Sequence, residues 1–394
     1  MIYIAYYFIA FFISSFILDR KLALFFILLL SFIFIGFSFP AGGDWIGYFN
    51  NYDCIINNRC SSGFIEFEKG YELIVSVVGN LGFQSILIFI AFLNILLINK
   101  YARLFENSAL AVFFLMCVFL WSMYIEAIRQ AIAFSLILYG VHFLYKNSIK
   151  KFILLVCVAS LFHITALICF VFVIPFVSIR LSRIFSYVML ISSFIFVSMP
   201  ILILEFIISL LPPTSMVAMK LNIYLISDAY KPQLSIGIGS ILDFVLLFLI
   251  FYSLRKIKKF NLSANYKFDY VVFTGAILYV SFALFMGKMM PVLTRIGWYG
   301  IPFIIILLYV NIGNSVFYRK IPVNKKFHLS AILVFIYFLG QILRPFTYDY
   351  SNYGIFQQRM IIQTINELDD ASLRIESREK CLALTRLGYG YLCD

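Results

Sequence analysis

Residues 109–145 read ALAVFFLMCVFLWSMYIEAIRQAIAFSLILYGVHFLY. Two apolar runs, 109–124 and 126–145, are separated by one residue, with Glu126 and Arg129 just beyond it. Each run is close to the roughly 20 residues that carry a helix across a bilayer core of about 30 Å. Neither alternates polar and apolar residues, as strands of a membrane barrel would. The pair reads as one helix crossing a membrane outward and a second returning.

Runs of this kind recur from end to end. Apolar residues make up 63% of the chain, charged residues 13%, and mean hydropathy is +0.97. Soluble domains average about 45–50% apolar and about 25% charged, so a soluble protein is excluded. The first run, Ile2 to Leu18, lacks a basic segment before it and a small-residue cleavage site after it. It is expected to be a first span rather than a removed signal.

A net charge of +12 would suit a nucleic-acid partner, but its placement argues against one. The clusters Arg20/Lys21, Lys100/Arg103, Lys146/Lys150/Lys151, Arg180/Arg183, Arg255/Lys256/Lys258/Lys259/Lys267 and Arg319/Lys320/Lys325/Lys326 hold 18 of the 31 basic residues. They lie between apolar runs and include few acids, so they mark cytoplasmic loops. Between two cytoplasmic loops the chain must cross an even number of times. Stretches 22–39 and 83–99, 109–124 and 126–145, 184–211 and 235–254, and 268–286 and 296–312 pair accordingly. Stretch 327–343 then leaves the cytoplasm.

Phe152 to Ile179 is long for one span and short for two. Two α-helices of about 14 residues would each rise only about 21 Å. Parity favours a short hairpin, with His163 at its turn facing outward; one long tilted helix is the alternative. The expected fold is an all-α polytopic membrane protein with about 12 transmembrane helices and both termini outside. Residues 1–343 form the membrane domain, with outer loops 40–82 and 212–234. Residues 344–394 form a periplasmic tail, with a surface helix expected from Gln357 onward.

Cys117, Cys157 and Cys169 lie inside apolar runs, where a thiol acts as a small hydrophobe. Cys54/Cys60 and Cys381/Cys393 are two local pairs in expected outer segments. Disulfides persist in an oxidising periplasm.

Ionisable residues at membrane depth are costly and invite a functional reading. Arg129 sits near the outer end of the 126–145 run, where its guanidinium could grip a diphosphate with forked hydrogen bonds. The bland reading pairs it with Glu126, three residues earlier. Arg295 opens the 296–312 run, after a short outer loop holding Lys288. Snorkelling beside interface aromatics is its bland reading. His163 could serve as a base near neutral pH, or simply cap its hairpin. His142 and His328 fall near cytoplasmic ends. In the first outer loop, Asp44, Trp45, Tyr48, Glu68 and Tyr71 combine carboxylates and rings, a combination suited to holding sugars. Asp243 and Glu205 are deep acids suited to an ion path or to bonding a neighbouring helix. No metal-ligand pattern, phosphate loop or Ser-His-Asp order stands out, and no cofactor is expected.

Five short patterns occur in order over residues 40–310: Gly43-Asp44-Trp45-x-x-Tyr48, Glu68-x-Gly70-Tyr71, Arg129-Gln130-Ala131-Ile132-Ala133, Leu161-Phe162-His163-x-x-Ala166-Leu167 after Lys150-Lys151, and Arg295-x-x-x-Tyr299. In this the chain resembles the Wzy-type O-antigen and capsule polymerases, in their EpsG-like branch. The resemblance implies a GT-C-like, metal-independent glycosyltransferase of the bacterial inner membrane, with its active site facing the periplasm. Such an enzyme moves a growing glycan from undecaprenyl diphosphate to a new lipid-linked repeat unit. Its partners would be those lipid-linked oligosaccharides, the bilayer and a candidate chain-length regulator. Arg129 and Arg295, with Lys288 and Tyr299 close by, would bind substrate, and the Asp44 loop would line a sugar cleft. The base stays open among His163, Asp44 and Glu68. An O-antigen ligase and a lipid-linked oligosaccharide flippase are the competing readings.

Overall fold

The computed structural model describes residues 2–39, 42–60, 66–212, 239–260, 266–312, 329–343, 359–360 and 369–386, with scattered positions between 215 and 237. Among these residues there is no strand beyond one isolated bridge, Ser38 to Met360. The chain is an all-α membrane protein.

Its centre is α6 (Ser108–Glu126), of whose apolar window 89% is buried. A helix that is hydrophobic all round belongs inside a bundle. Around it stand α1 (Ile2–Phe16), α2 (Arg20–Gly36), α5 (Phe83–Ala102) and α7 (Ile128–Tyr145). By contrast α10 (Ile179–Ser198) is only 28% buried. It shows Tyr187, Val188, Ile191 and Phe194 outward, a surface suited to lipid rather than water. Close helix contacts occur at small residues, as is usual where lipid supplies no hydrophobic drive between helices. Gly36 lies against Ala91, and Gly140 leaves room for the Phe152 ring.

Among the described residues, six helices are long and apolar enough to cross a membrane, and five shorter apolar helices accompany them. The expected 184–211 span is broken. Its first part is α10, and Pro200 at the N-terminal position of α11 (Pro200–Ser209) starts a new helix after Met199. Proline has no N–H to give a preceding turn, so it fits there and not mid-helix.

The short hairpin is present. It comprises α8 (Ile149–Ser160), a turn through His163, a 3-10 helix over Ile164–Val173, and α9 (Ile174–Val177). A 3-10 helix rises about 2.0 Å per residue against about 1.5 Å for an α-helix, so this arm reaches roughly 26 Å. Tighter winding supplies the length that α-geometry could not.

After α12 (Gly239–Phe260) come α13 (Tyr266–Met289) and α14 (Pro291–Val310). These last two abut at Met290, so the expected outer loop around Lys288 does not exist. Pro291 sets the break, and Arg295 lies one turn inside α14 rather than ahead of it. A further apolar helix, α15 (Leu329–Leu343), packs on α12 and α6.

The segment read as an outer loop, 40–82, is mostly helical. It forms α3 (Asp44–Asn57) and α4 (Lys69–Val78), followed by a 3-10 turn over Gly79–Leu81. Trp45, Phe49, Tyr52, Tyr71 and Phe83 build a second, smaller core there. Leu373 and Leu384 of α16 (Asp370–Arg386) complete it. Residues 370–386 of the tail are thus helical and packed on this core rather than lying free on the surface; Ile361, Ile362, Ile365 and Leu368, whose pattern suggests the surface helix, lie outside the described residues. Asn58, at φ 54°, turns the chain so that Cys60 is joined to Cys54. Cys381 is disulfide-bonded as well, and its expected partner, Cys393, lies outside the described residues.

Candidate functional site

The site forms where α3, α4, α7, α14 and the hairpin turn converge at one end of the bundle. Two π-helical segments mark that end: Leu120–Glu126 closes α6, and Val280–Met286 lies near the end of α13. Wider π-turns re-aim side chains and recur at functional sites. At the other end of α7, Lys100, Arg103, His142 and Lys146 line a basic pocket. An 18-residue helix is about 27 Å long, so the two ends are well separated.

Arg129 does not pair with Glu126. Ala127, at φ −99° and ψ 57°, breaks the helix between them, so the three-residue spacing no longer puts them on one face. Arg129 Nη1 instead forms a short ion pair with Glu68 Oε2. Its guanidinium lies 3.8 Å from the Phe67 ring centroid and 5.7 Å from that of Tyr48. Its Nε is buried without a hydrogen-bond partner in the protein. The planar fork is therefore held by ring contacts and one carboxylate, with donor capacity to spare.

Arg295 repeats the arrangement. Its Nη2 donates to Asp44 Oδ2 at 3.0 Å, and its side chain is 37% exposed against 16% for Asp44. Gln130, next to Arg129, donates from Nε2 to the Arg295 carbonyl at 2.7 Å. That bond ties the first turn of α7 to the second turn of α14 and brings the two arginines into one neighbourhood.

Glu68 Oε1 also accepts from the Ile164 N–H at 3.4 Å. The Gly70 N–H donates to the Leu161 carbonyl at 2.8 Å, and a Cβ at Gly70 would lie 2.7 Å from that oxygen. Glycine lets α4 dock directly on the hairpin turn. His163 caps the 3-10 arm with an extended backbone, its Nδ1 2.6 Å from Thr165 Oγ1. Thr165 in turn meets the Tyr299 hydroxyl at 3.3 Å. His163, Asp44, Glu68, Arg129, Arg295, Tyr48, Tyr71 and Tyr299 thus belong to one connected cluster.

Trp45, Tyr48, Tyr71 and Tyr299 are buried, and of these rings Tyr48, with Phe67, flanks the Arg129 guanidinium. Burial pushes the Tyr48 phenol up to about 12, with Asp44 adding to the shift and Arg129 and Arg295 opposing it. Burial also raises Tyr71. Both remain neutral hydroxyls. Lys288 is not shown in the cluster. It pairs with Asp243 at 2.5 Å and donates to Ser240 Oγ at 3.2 Å, which gives the deep acid of α12 a structural partner. Glu205 is exposed on α11.

Three contributors escaped the sequence reading: Phe67, Thr165 and Glu126 as a backbone anchor. Lys380 of α16 lies 5.2 Å from the Trp45 ring centroid and pairs with Glu376 at 3.3 Å. Burial lowers its ammonium, while Glu376 pulls the other way. Among the described residues, no three His, Cys, Asp or Glu side chains converge as metal ligands do.

The EpsG family matches residues 21–356. The chain belongs to the EpsG family. It is a polysaccharide polymerase-type membrane protein by that membership. No curated protein and no solved structure matches it. The EpsG match takes in both arginine–carboxylate pairs, Glu126, Gln130 and the His163 hairpin, whereas α16 lies beyond its end.

Proposed function

We propose that this EpsG-family protein is a surface-polysaccharide (O-antigen) polymerase. It transfers a growing glycan from undecaprenyl diphosphate to a new lipid-linked repeat unit at the periplasmic face of the inner membrane. One observation carries this reading: two arginines near the site-facing ends of separate helices, each paired with a carboxylate and linked through Gln130.

The reaction needs two things. An acceptor hydroxyl loses its proton as its oxygen bonds to the anomeric carbon. The bond from that carbon to the phosphate oxygen breaks, and the diphosphate leaves with the electron pair. Arg129 and Arg295 meet the developing negative charge with preorganised donors. Asp44, Glu68 and His163 are the groups placed to take the proton. When diphosphate engages the arginines, Asp44 and Glu68 lose their arginine partners and stand as carboxylates beside the acceptor, Glu68 keeping the Ile164 N–H. Four of these five groups are charged and sit on different elements, which supports convergent chemistry at one end rather than a lined transport path.

The test is the surface polysaccharide of cells lacking the gene. A polymerase defect leaves lipid A core bearing a single repeat unit. Core with no repeat at all would indicate a ligase, and lipid-linked units trapped on the cytoplasmic side would indicate a flippase.

A further inference from the structure

Glu126 has no role in the reaction as written, yet its contacts are among the most specific in the cluster. Its Oε1 accepts from the Gly43 N–H at 2.9 Å and from the Asp44 N–H at 3.2 Å. Those donors belong to the open N-terminus of α3, where Gly43 supplies no side-chain cap. The first N–H groups of a helix lack partners within it and carry partial positive charge, so a carboxylate is well matched to them. Glu126 reaches them from the π-helical end of α6, some eighty residues along the chain. Its Oε2 is buried without a hydrogen-bond partner, facing Gly42. Gly42 has φ +87°, and a Cβ there would overlap the Glu126 carboxyl. Two requirements therefore select glycine at this place: the left-handed backbone and the carboxylate against it.

We infer that Glu126 is the positioning residue of the site, clamping the Gly42-Gly43-Asp44 turn so that the Asp44 carboxylate keeps its place when Arg295 turns to the diphosphate. Without such an anchor, the first turn of α3 would rely on its core packing alone once the Asp44–Arg295 pair opens, and that pair must open for the arginine to serve the leaving group. Clamping from a second element lets the pair open while the carboxylate stays beside the acceptor. The inference rests on the polymerase reading.

Polysaccharide ladders from complemented deletion cells provide the test, with membrane abundance measured for every variant. Glu126→Gln keeps an oxygen acceptor for both N–H groups and should retain most polymerisation. Glu126→Ala removes the clamp and should reduce long chains by roughly 10- to 100-fold, the cost of small misplacement at a reacting centre. Gly42→Ala should match it by displacing the carboxyl, and Gly42→Ala/Glu126→Ala should be little worse than either single variant. Should Glu126→Ala be poorly abundant, Glu126→Gln and Gly42→Ala still decide the matter. An abundant Glu126→Ala or Gly42→Ala protein with a normal ladder would overturn the inference. So would a Glu126→Gln protein as inactive as Glu126→Ala, because negative charge rather than position would then be what matters. Absence of any ladder difference between wild type and deletion would instead refute the polymerase reading.

Discussion

Arg374 of α16 grips Asp53 of α3 through two hydrogen bonds, Nε to Oδ2 at 2.9 Å and Nη2 to Oδ1 at 3.1 Å. Beside it, Asp370 accepts from the Tyr52 hydroxyl and from Asn57 Nδ2. Burial pushes the Asp53 carboxyl up, but the bonds from Arg374 and Asn57 outweigh it and hold the group below its ordinary value. A carboxyl depressed on folding contributes stability above its unfolded pKa and loses it as pH falls through the folded one. The latch should therefore hold at neutral and mildly acidic pH and open only below about 3.9, the ordinary aspartate value. Hydrogen exchange across 370–386 checks this. Asp53→Asn should lower protection several-fold at pH 7, and unchanged protection would deny the latch.

Cys54 and Cys60 should both resist a water-soluble maleimide in native membranes until a reductant is added. Labelling of either without reductant would contradict the bond and weaken the outer placement of α3.

The Lys288–Asp243 pair should be structural. Removing one partner of a buried ion pair costs about 3–5 kcal/mol, whereas replacing both with apolar groups is often neutral. Lys288→Met should lower membrane abundance, and Lys288→Met/Asp243→Leu should restore it together with the polysaccharide ladder. Loss of the ladder in an abundant double variant would return Lys288 to the site.

Reporter fusions after Lys151 and Arg183 should read cytoplasmic, and a fusion after Cys60 periplasmic. A periplasmic signal at Arg183 would be incompatible with a hairpin that places His163 outward.

Long apolar runs without alternation make the all-α membrane class legible, because only helices and closed barrels satisfy their backbone in lipid. The hairpin was found by counting crossings, although nothing in Ile164–Val173 announced its 3-10 winding. Arg129 and Arg295 stood out because charge at membrane depth is costly. Their partners did not follow, since helical spacing offered Glu126 to Arg129 and no glycine or proline signalled the break at Ala127. Pro291 did carry a signal, the N-terminal preference of proline, and heeding it would have put Lys288 inside a helix. The docking of α16 had no local trace. Arg374 and Asp53 are 321 residues apart, and only tertiary packing joins them.

The central claim is that Arg129 and Arg295 act as one unit on one diphosphate, and ladder formation by arginine variants of verified membrane abundance tests it most directly. Arg129→Lys keeps the charge but loses the planar fork, and should lose most long-chain polysaccharide. Arg295→Ala should do the same, and the double variant should be little worse than either, because groups acting together are not additive. An abundant Arg129→Ala or Arg295→Ala protein that still builds a normal ladder would contradict the account.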